Sequence, residues 1–203
     1  MIPMKKFLRR LIVICVLFQL LIICPLQVYA ETQEAIFAGG CFWCLEHDLE
    51  KLDGVVSAES GYSGGDLKNP TYENHNGHQE VVKVRFNSDI ISYTDLLHNY
   101  WINIDPFDDG GQFCDRGNSY KPIIFTSTED QERVVKESKK NISRELNITI
   151  DQLKVEPVKA KTFWIAETYH QNFAEKNPLK YNFYRTSCGR DNRLKKVWGK
   201  IKN

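Results

Sequence analysis

The residues most able to do chemistry stand together in Gly39-Gly40-Cys41-Phe42-Trp43-Cys44. Cysteine is the strongest nucleophile among the side chains, and it acts as the thiolate. The run follows a short apolar stretch, Ala35 to Ala38, and precedes a helix-like one, Leu45 to Leu52. That order predicts a strand, a tight glycine turn and a helix start. A cysteine in that place sits at the positive end of a helix, beside unpaired backbone N–H groups. The expectation is a lowered Cys41 pKa. Phe42 and Trp43 beside the sulfur would form an apolar wall. The apparatus suits redox chemistry on a small apolar group.

The remaining elements must bring partners to that turn. Val55 to Ser60 reads as a strand that Gly61-Tyr62-Ser63-Gly64-Gly65 ends. Glu80 to Phe86 alternates, with Val82, Val84 and Phe86 on one side, and reads as a strand. Leu96, Leu97, Tyr100, Trp101 and Ile104 recur at helical spacing behind Ser92, an N-cap residue type. Pro122 to Phe125 reads as a strand, Thr128 to about Leu146 as a capped helix, and Val155 to Val158 as a short strand. Trp164 to Glu175 is helical or irregular, and the tail from Tyr181 is loop-rich. The order β-α-β-β-α-β predicts an α+β fold, a ferredoxin-like split βαβ sandwich with extra loops and an irregular tail. Two long loops, 61–79 and 105–119, are rich in glycine and polar side chains. Loops of that length are functional sites or disordered, and both could converge on the Cys41 turn.

Residues 1–30 do not belong to that domain. Lys5, Lys6, Arg9 and Arg10 precede an apolar run, Leu11 to Leu26, and Val28-Tyr29-Ala30 offers small residues for a signal peptidase. The pattern predicts an exported chain, periplasmic or secreted, cut after Ala30, with a single domain over 31–203. The alternative is an anchor formed by residues 11–26. Four of the 27 basic residues and none of the 26 acidic ones lie before residue 31. The domain is therefore mildly acidic, which gives no electrostatic reason to bind nucleic acid or anionic membrane. The basic run from Arg190 to Lys202 reads as a solvated face. Cys41, Cys44, Cys114 and Cys188 remain after the leader. An exported chain allows two structural disulfides. With only one close pair, the four cysteines do not suggest a metal site.

Several blocks then carry a resemblance. Gly40-Cys41-Phe42-Trp43, Gly61-Tyr62-Ser63-Gly64-Gly65, Asn69-Pro70-Thr71-Tyr72, Gly77-His78-Gln79-Glu80 and Ile90-Ile91-Ser92-Tyr93 occur in this order. Asp105-Pro106, Asp115 with Tyr120, Tyr169-His170-Gln171 and Lys176-Asn177-Pro178 follow. Together they resemble the peptide methionine sulfoxide reductases of the A type, over nearly all of residues 35–188. The resemblance implies reduction of methionine S-sulfoxide, free or protein-bound. It makes Cys41 the nucleophile and Phe42 and Trp43 the pocket for the substrate methyl group. Glu80 would supply a proton, and Glu80, Tyr72 and Tyr120 would hold the sulfoxide oxygen, with Asp115 in the same cluster. A Cys41 sulfenic acid would condense with a second cysteine, and an external dithiol would reduce the disulfide.

Chemistry agrees, because a sulfoxide is a poor electrophile until its oxygen is protonated or strongly hydrogen-bonded. A glutamic acid facing an apolar wall can stay protonated near neutral pH. The resemblance implies no cofactor beyond a dithiol reductant such as thioredoxin, and a monomer is expected. Cys188 is the preferred resolving cysteine, carried by a mobile tail, with Cys114 and Cys44 as alternatives. The loop before Glu80 lacks the cysteine some members carry, and Lys121-Pro122 replaces the usual Arg-Ser. Glu46 reads as a capping or salt-bridge residue, His78 as a backbone support, and His170 as a packed, hydrogen-bonded histidine. Two other readings compete. A thioredoxin-like disulfide oxidoreductase shares the strand–Cys-x-x-Cys–helix pattern, and an exported binding module would tie up all four cysteines.

Overall fold

The structure, a computed structural model, describes residues 32–199. The leader and the end of the basic tail lie outside the described residues. Among the described residues no helix is long and apolar enough to cross a membrane.

The chain runs β1 (Thr32–Ala38), α1 (Phe42–Leu49), β2 (Val55–Ser63), β3 (Gln79–Asn87) and α2 (Tyr93–Trp101). A two-residue hairpin, β4 (Gly111–Gln112) and β5 (Asp115–Arg116), then leads to β6 (Ile123–Thr126) and α3 (Glu129–Glu145). Two short strands, β7 (Pro157–Lys159) and β8 (Trp164–Ile165), precede α4 (Phe173–Lys176), α5 (Pro178–Ser187) and α6 (Arg190–Trp198). Six strands form one mixed sheet, ordered β7-β6-β1-β3-β2-β8. All neighbours are antiparallel except β6 and β7. The fold is α+β.

Period two in β3 decides which way the sheet faces. Val82, Val84 and Phe86 enter the large core with Phe37, Leu45, Leu49, Leu96 and Trp101. Glu80 is two residues before Val82, so the same alternation turns a carboxyl toward the helix side. On the opposite face Val81 joins Ile36, Ala38 and Phe125 in a smaller cluster, which Phe163 helps to cover. The ends of α2 and α3 follow their caps: the Ser92 and Thr128 hydroxyls accept from the N–H groups of Asp95 and Gln131.

Two expectations fail for definite reasons. Gly61 does not end β2. It pairs with Val81 on one side and Ile165 on the other, and a side-chain carbon there would meet Phe163 and the Trp164 carbonyl at about 2.5 Å. The glycine lets β8 approach. The tail is also not loop-rich. Pro178 opens α5 at its first turn, and α6 buries Arg190, Leu194 and Trp198 at a spacing of four. The apolar pattern of α6 is thin, because a buried arginine takes one of its three inward positions. Cys188 therefore caps α5 between two helices and does not ride on a mobile tail.

The turn that carries Cys41 is fixed from both sides. Gly40 has φ +83, and a side-chain carbon there would lie 2.7 Å from Gln112 Cβ. The Tyr100 hydroxyl donates to the Ala38 carbonyl at 2.8 Å, fully buried. Tyr100→Phe leaves that carbonyl short of a partner in the core, at a cost of about 1–3 kcal/mol. Urea unfolding should show a lower midpoint with an unchanged slope; an unchanged midpoint would contradict this account of the turn.

Candidate active site

Cys41 is the N-cap residue of α1, with φ −53 and ψ 120, so its backbone is not yet helical. The helix end makes its first donors available there. The Phe42 N–H donates to Glu80 Oε2 at 3.0 Å, and the Cys41 N–H lies toward Asp115 and lowers its pKa. Both donors therefore serve carboxyl groups. The sulfur itself is buried, and burial pushes the Cys41 thiol well above its ordinary pKa. The nearby Glu80 and Cys44 add to the upward shift, and only the Tyr184 hydroxyl opposes it. The expected lowering of the Cys41 pKa is overturned: desolvation outweighs the helix end.

Glu80 is almost wholly buried on the core face of β3. Burial pushes its pKa up to about 8, against the Phe42 N–H bond, and the Asp115 charge adds to the rise. It is a neutral acid at pH 7. Asp115 is also raised by burial, and the Tyr184 hydroxyl, donating to it at 2.5 Å, holds it down. Burial and the Glu80 charge raise Tyr72 and Tyr120, so both hydroxyls keep their protons. Cys41, Phe42, Trp43, Tyr72, Glu80, Asp115, Tyr120 and Tyr184 line one small cavity of about 50 Å³. The structure thus brings together all seven pocket residues named from the sequence.

Trp43 is held by three contacts. Its Nε1 donates to His170 Nδ1 at 2.9 Å. Its ring stacks on Phe173 at 3.7 Å and meets Tyr184 edge-on. His170 therefore accepts at Nδ1, and burial lowers its pKa, which suits the neutral ring. Glu167 accepts from the Tyr62 hydroxyl and the Tyr72 N–H, at 3.0 and 2.9 Å. His78 braces the turn at 65–67, accepting from the Gly65 N–H and meeting the Leu67 carbonyl at 2.8 Å. Among the described residues Glu46 has no salt-bridge partner; it accepts from the Ser60 hydroxyl and the Asn172 N–H, tying α1 to β2 and the start of α4. Burial raises its pKa to about 7.

The cysteines fall into two pairs. Cys114 and Cys188 form a disulfide, with Cα atoms 4.9 Å apart. Cys41 and Cys44 are free and buried. Hence Cys188 is bonded to Cys114, not to Cys41. Its sulfur lies 3.9 Å from an Asp115 carboxylate oxygen, and Asp115 lines the pocket. The disulfide therefore adjoins the cavity, and Cys114 is its exposed member.

The family model for peptide methionine sulfoxide reductase matches residues 33–202. The chain belongs to the peptide methionine sulfoxide reductase family. It is 46% identical over 179 residues to peptide methionine sulfoxide reductase MsrA 2 of Caulobacter vibrioides, covering 86% of this chain and 90% of that one. With MsrA 2 of Rhizobium meliloti it shares 45% over 189 residues, 90% and 93% of the two chains. A solved methionine sulfoxide reductase A of Corynebacterium diphtheriae superposes with TM-score 0.66 at 26% identity, covering 76% of this chain and 79% of that one. The reaction of this reductase is the thiol-dependent reduction of methionine sulfoxide to methionine. That finding removes the disulfide-oxidoreductase and binding-module readings.

Sequence reasoning missed Tyr184 in the reductase pocket. The signal was the pair Tyr181 and Tyr184, three apart, which would share a face once the tail is helical.

Glu46 and Glu80 bind protons more tightly folded than unfolded. Their contribution to stability is complete below the ordinary glutamate value of 4.5 and is lost as pH rises through about 7 and about 8. The melting temperature should fall as pH is raised across that window. A melting temperature that rises through it would contradict the two buried neutral carboxyls.

Proposed function

We propose that Cys41 attacks the sulfur of a methionine S-sulfoxide while Glu80 protonates the departing oxygen's side of the bond. One observation carries the reading: a neutral carboxyl and a thiol face a single cavity ringed by tyrosine hydroxyls. The Tyr72 and Tyr120 hydroxyls point their donors at the sulfoxide oxygen, and Phe42 and Trp43 enclose the methyl group. The resting thiol is protected by its raised pKa. A bound sulfoxide brings a partial positive sulfur to it, which is the attraction that burial otherwise denies the thiolate. The sulfoxide oxygen ends on Cys41 as a sulfenic acid, and methionine leaves reduced by two electrons.

Cys188 then attacks Cys41. An S–S bond forms, the S–O bond breaks and water leaves. Cys114 displaces Cys41 from that bond, which restores the Cys41 thiol and leaves the Cys114–Cys188 disulfide beside the pocket. The free Cys41 and the bonded pair favour this order over direct use of either alternative. The exposed Cys114 offers the disulfide to an external dithiol, for which a thioredoxin-fold protein is the fitting partner. No other cofactor enters this cycle, and one chain supplies every group, which is consistent with a monomer. The central order β6-β1-β3-β2 supports a ferredoxin-like split βαβ core. The basic start, apolar run and small residues before Glu31 support export of the chain.

Reduced protein given one equivalent of methionine S-sulfoxide should release methionine and yield a Cys114–Cys188 peptide on mapping. Cys41→Ser should release none, and full release would sink the mechanism. Glu80→Gln keeps the Phe42 bond but has no proton to give, so the chemical step should slow by roughly 10²–10⁴. The wild-type rate should fall above about pH 8, and the variant should lack that limb. In Cys188→Ser one methionine should still form, but the Cys114–Cys188 disulfide that the external dithiol reduces cannot; normal cycling with a dithiol protein would move the resolving role elsewhere.

A further inference from the structure

Cys44 is a thiol that this cycle leaves unused. It is buried on the first turn of α1, three residues after Cys41, and its N–H donates to the Cys41 carbonyl at 3.1 Å. Helix geometry puts such Cα atoms about 5 Å apart, within the span of a disulfide. Cys41 is outside the helical region, so its side chain can turn toward Cys44 without unwinding the helix. The two thiols interact: Cys44 raises the Cys41 pKa and Cys41 lowers that of Cys44. Behind Cys44 stand two cations, the partly buried Arg185 and the buried Arg190. Arg185 donates to both oxygens of Asp48 at 2.9 Å, and Arg190 reaches the Asn103 carbonyl at 2.7 Å. Their charges draw Cys44 toward the thiolate.

The state seen here raises a question for the next substrate. Cys114 and Cys188 are oxidised, while Cys41 is reduced in an intact pocket. A second sulfoxide would again leave its oxygen on Cys41, and neither relay cysteine would be free. Among the described residues Cys44 is the one other free thiol.

We propose that Cys44 is a reserve resolving thiol, which closes a Cys41–Cys44 disulfide when the enzyme turns over before Cys114–Cys188 has been reduced. This rests on the roles assigned to Cys41, Cys188 and Cys114 above. The Cys44 sulfur attacks the Cys41 sulfenic sulfur. An S–S bond forms, the Cys41 S–O bond breaks, and the hydroxyl leaves as water with the Cys44 proton. Cys44 is oxidised and Cys41 is reduced from sulfenic acid to disulfide. The chain then stores the oxidising equivalents of two sulfoxides in two disulfides. The sulfenic acid does not wait for peroxide to drive it to the irreversible sulfinic acid.

The test uses fully reduced protein, no reductant and excess N-acetyl-methionine S-sulfoxide, followed by alkylation and peptide mass mapping. The expected result is about two methionines per chain. The Cys41–Cys44 bridge should appear beside Cys114–Cys188, with no oxygen retained and no adduct with dimedone. Two methionines with a dimedone-reactive Cys41 would overturn the proposal and leave the main cycle standing. One methionine with Cys41 still alkylatable would overturn it too. No methionine would overturn both readings. Cys44→Ser and Cys44→Ala should both strand a dimedone-reactive Cys41 after the second turnover and gain sulfinic acid on peroxide treatment. Wild-type behaviour in both variants would count against the role.

Discussion

One buried hydrogen bond sets the character of the site: the Phe42 N–H donating to Glu80 at 3.0 Å. It clamps the core face of β3 to the first turn of α1, and it spends the helix end on a carboxyl instead of on the sulfur. The magnitudes show why Cys41 stays a thiol. A helix N-terminus is worth about 0.3–1 kcal/mol to a nearby anion, and up to about 2 when partly buried. Full burial shifts a pKa by up to about 3–5 units, each worth about 1.4 kcal/mol. Desolvation therefore wins at both Cys41 and Glu80. The resting site is neutral and full of donors, which suits a polar but uncharged sulfoxide.

The shell around that clamp comes from distant parts of the chain. Asp115 arrives on the hairpin after α2, Tyr184 on α5, His170 from the loop before α4. Asp115 touches the Tyr184 hydroxyl and the sulfur of Cys188, and it lines the cavity with Cys41. The same residue thus belongs to the pocket and adjoins the disulfide that would recycle it. Beneath them Asp48 accepts from Arg185, and buried Arg190 reaches the Gly39 carbonyl while its guanidinium stacks 4.5 Å from the Phe113 ring. Removing either partner of such a largely buried pair leaves a poorly compensated charge. The α5–α6 tail is therefore built into the catalytic turn.

Much of this was legible in the chain. The Gly39–Cys44 run told of strand, turn and helix, and the alternation of Val82, Val84 and Phe86 put Glu80 on the correct face. The pocket residues were found through their resemblance to a family, since their sequence separations give no hint of convergence. The rest was hidden for physical reasons. Helix α6 conceals its inward face behind a buried arginine, so its periodicity looks polar. Gly61 resembles a strand break, because its purpose is the close approach of another strand. The Cys41 pKa turned on burial, a property of the whole fold and not of a six-residue motif. The pairing of Cys114 with Cys188 across 74 residues likewise depends on the packing of α5.

The protonation of Glu80 in the free enzyme is the most direct test. Infrared difference spectra of wild-type protein against Glu80→Gln, taken across pH 6–10, read the carbonyl stretch of a protonated carboxyl. The account predicts a band present at pH 7, lost on raising pH through about 8 and missing from the variant. A wild-type spectrum with no Glu80 band at pH 7 would mean an ionised carboxylate beside the thiol, and would contradict the neutral, donor-filled site.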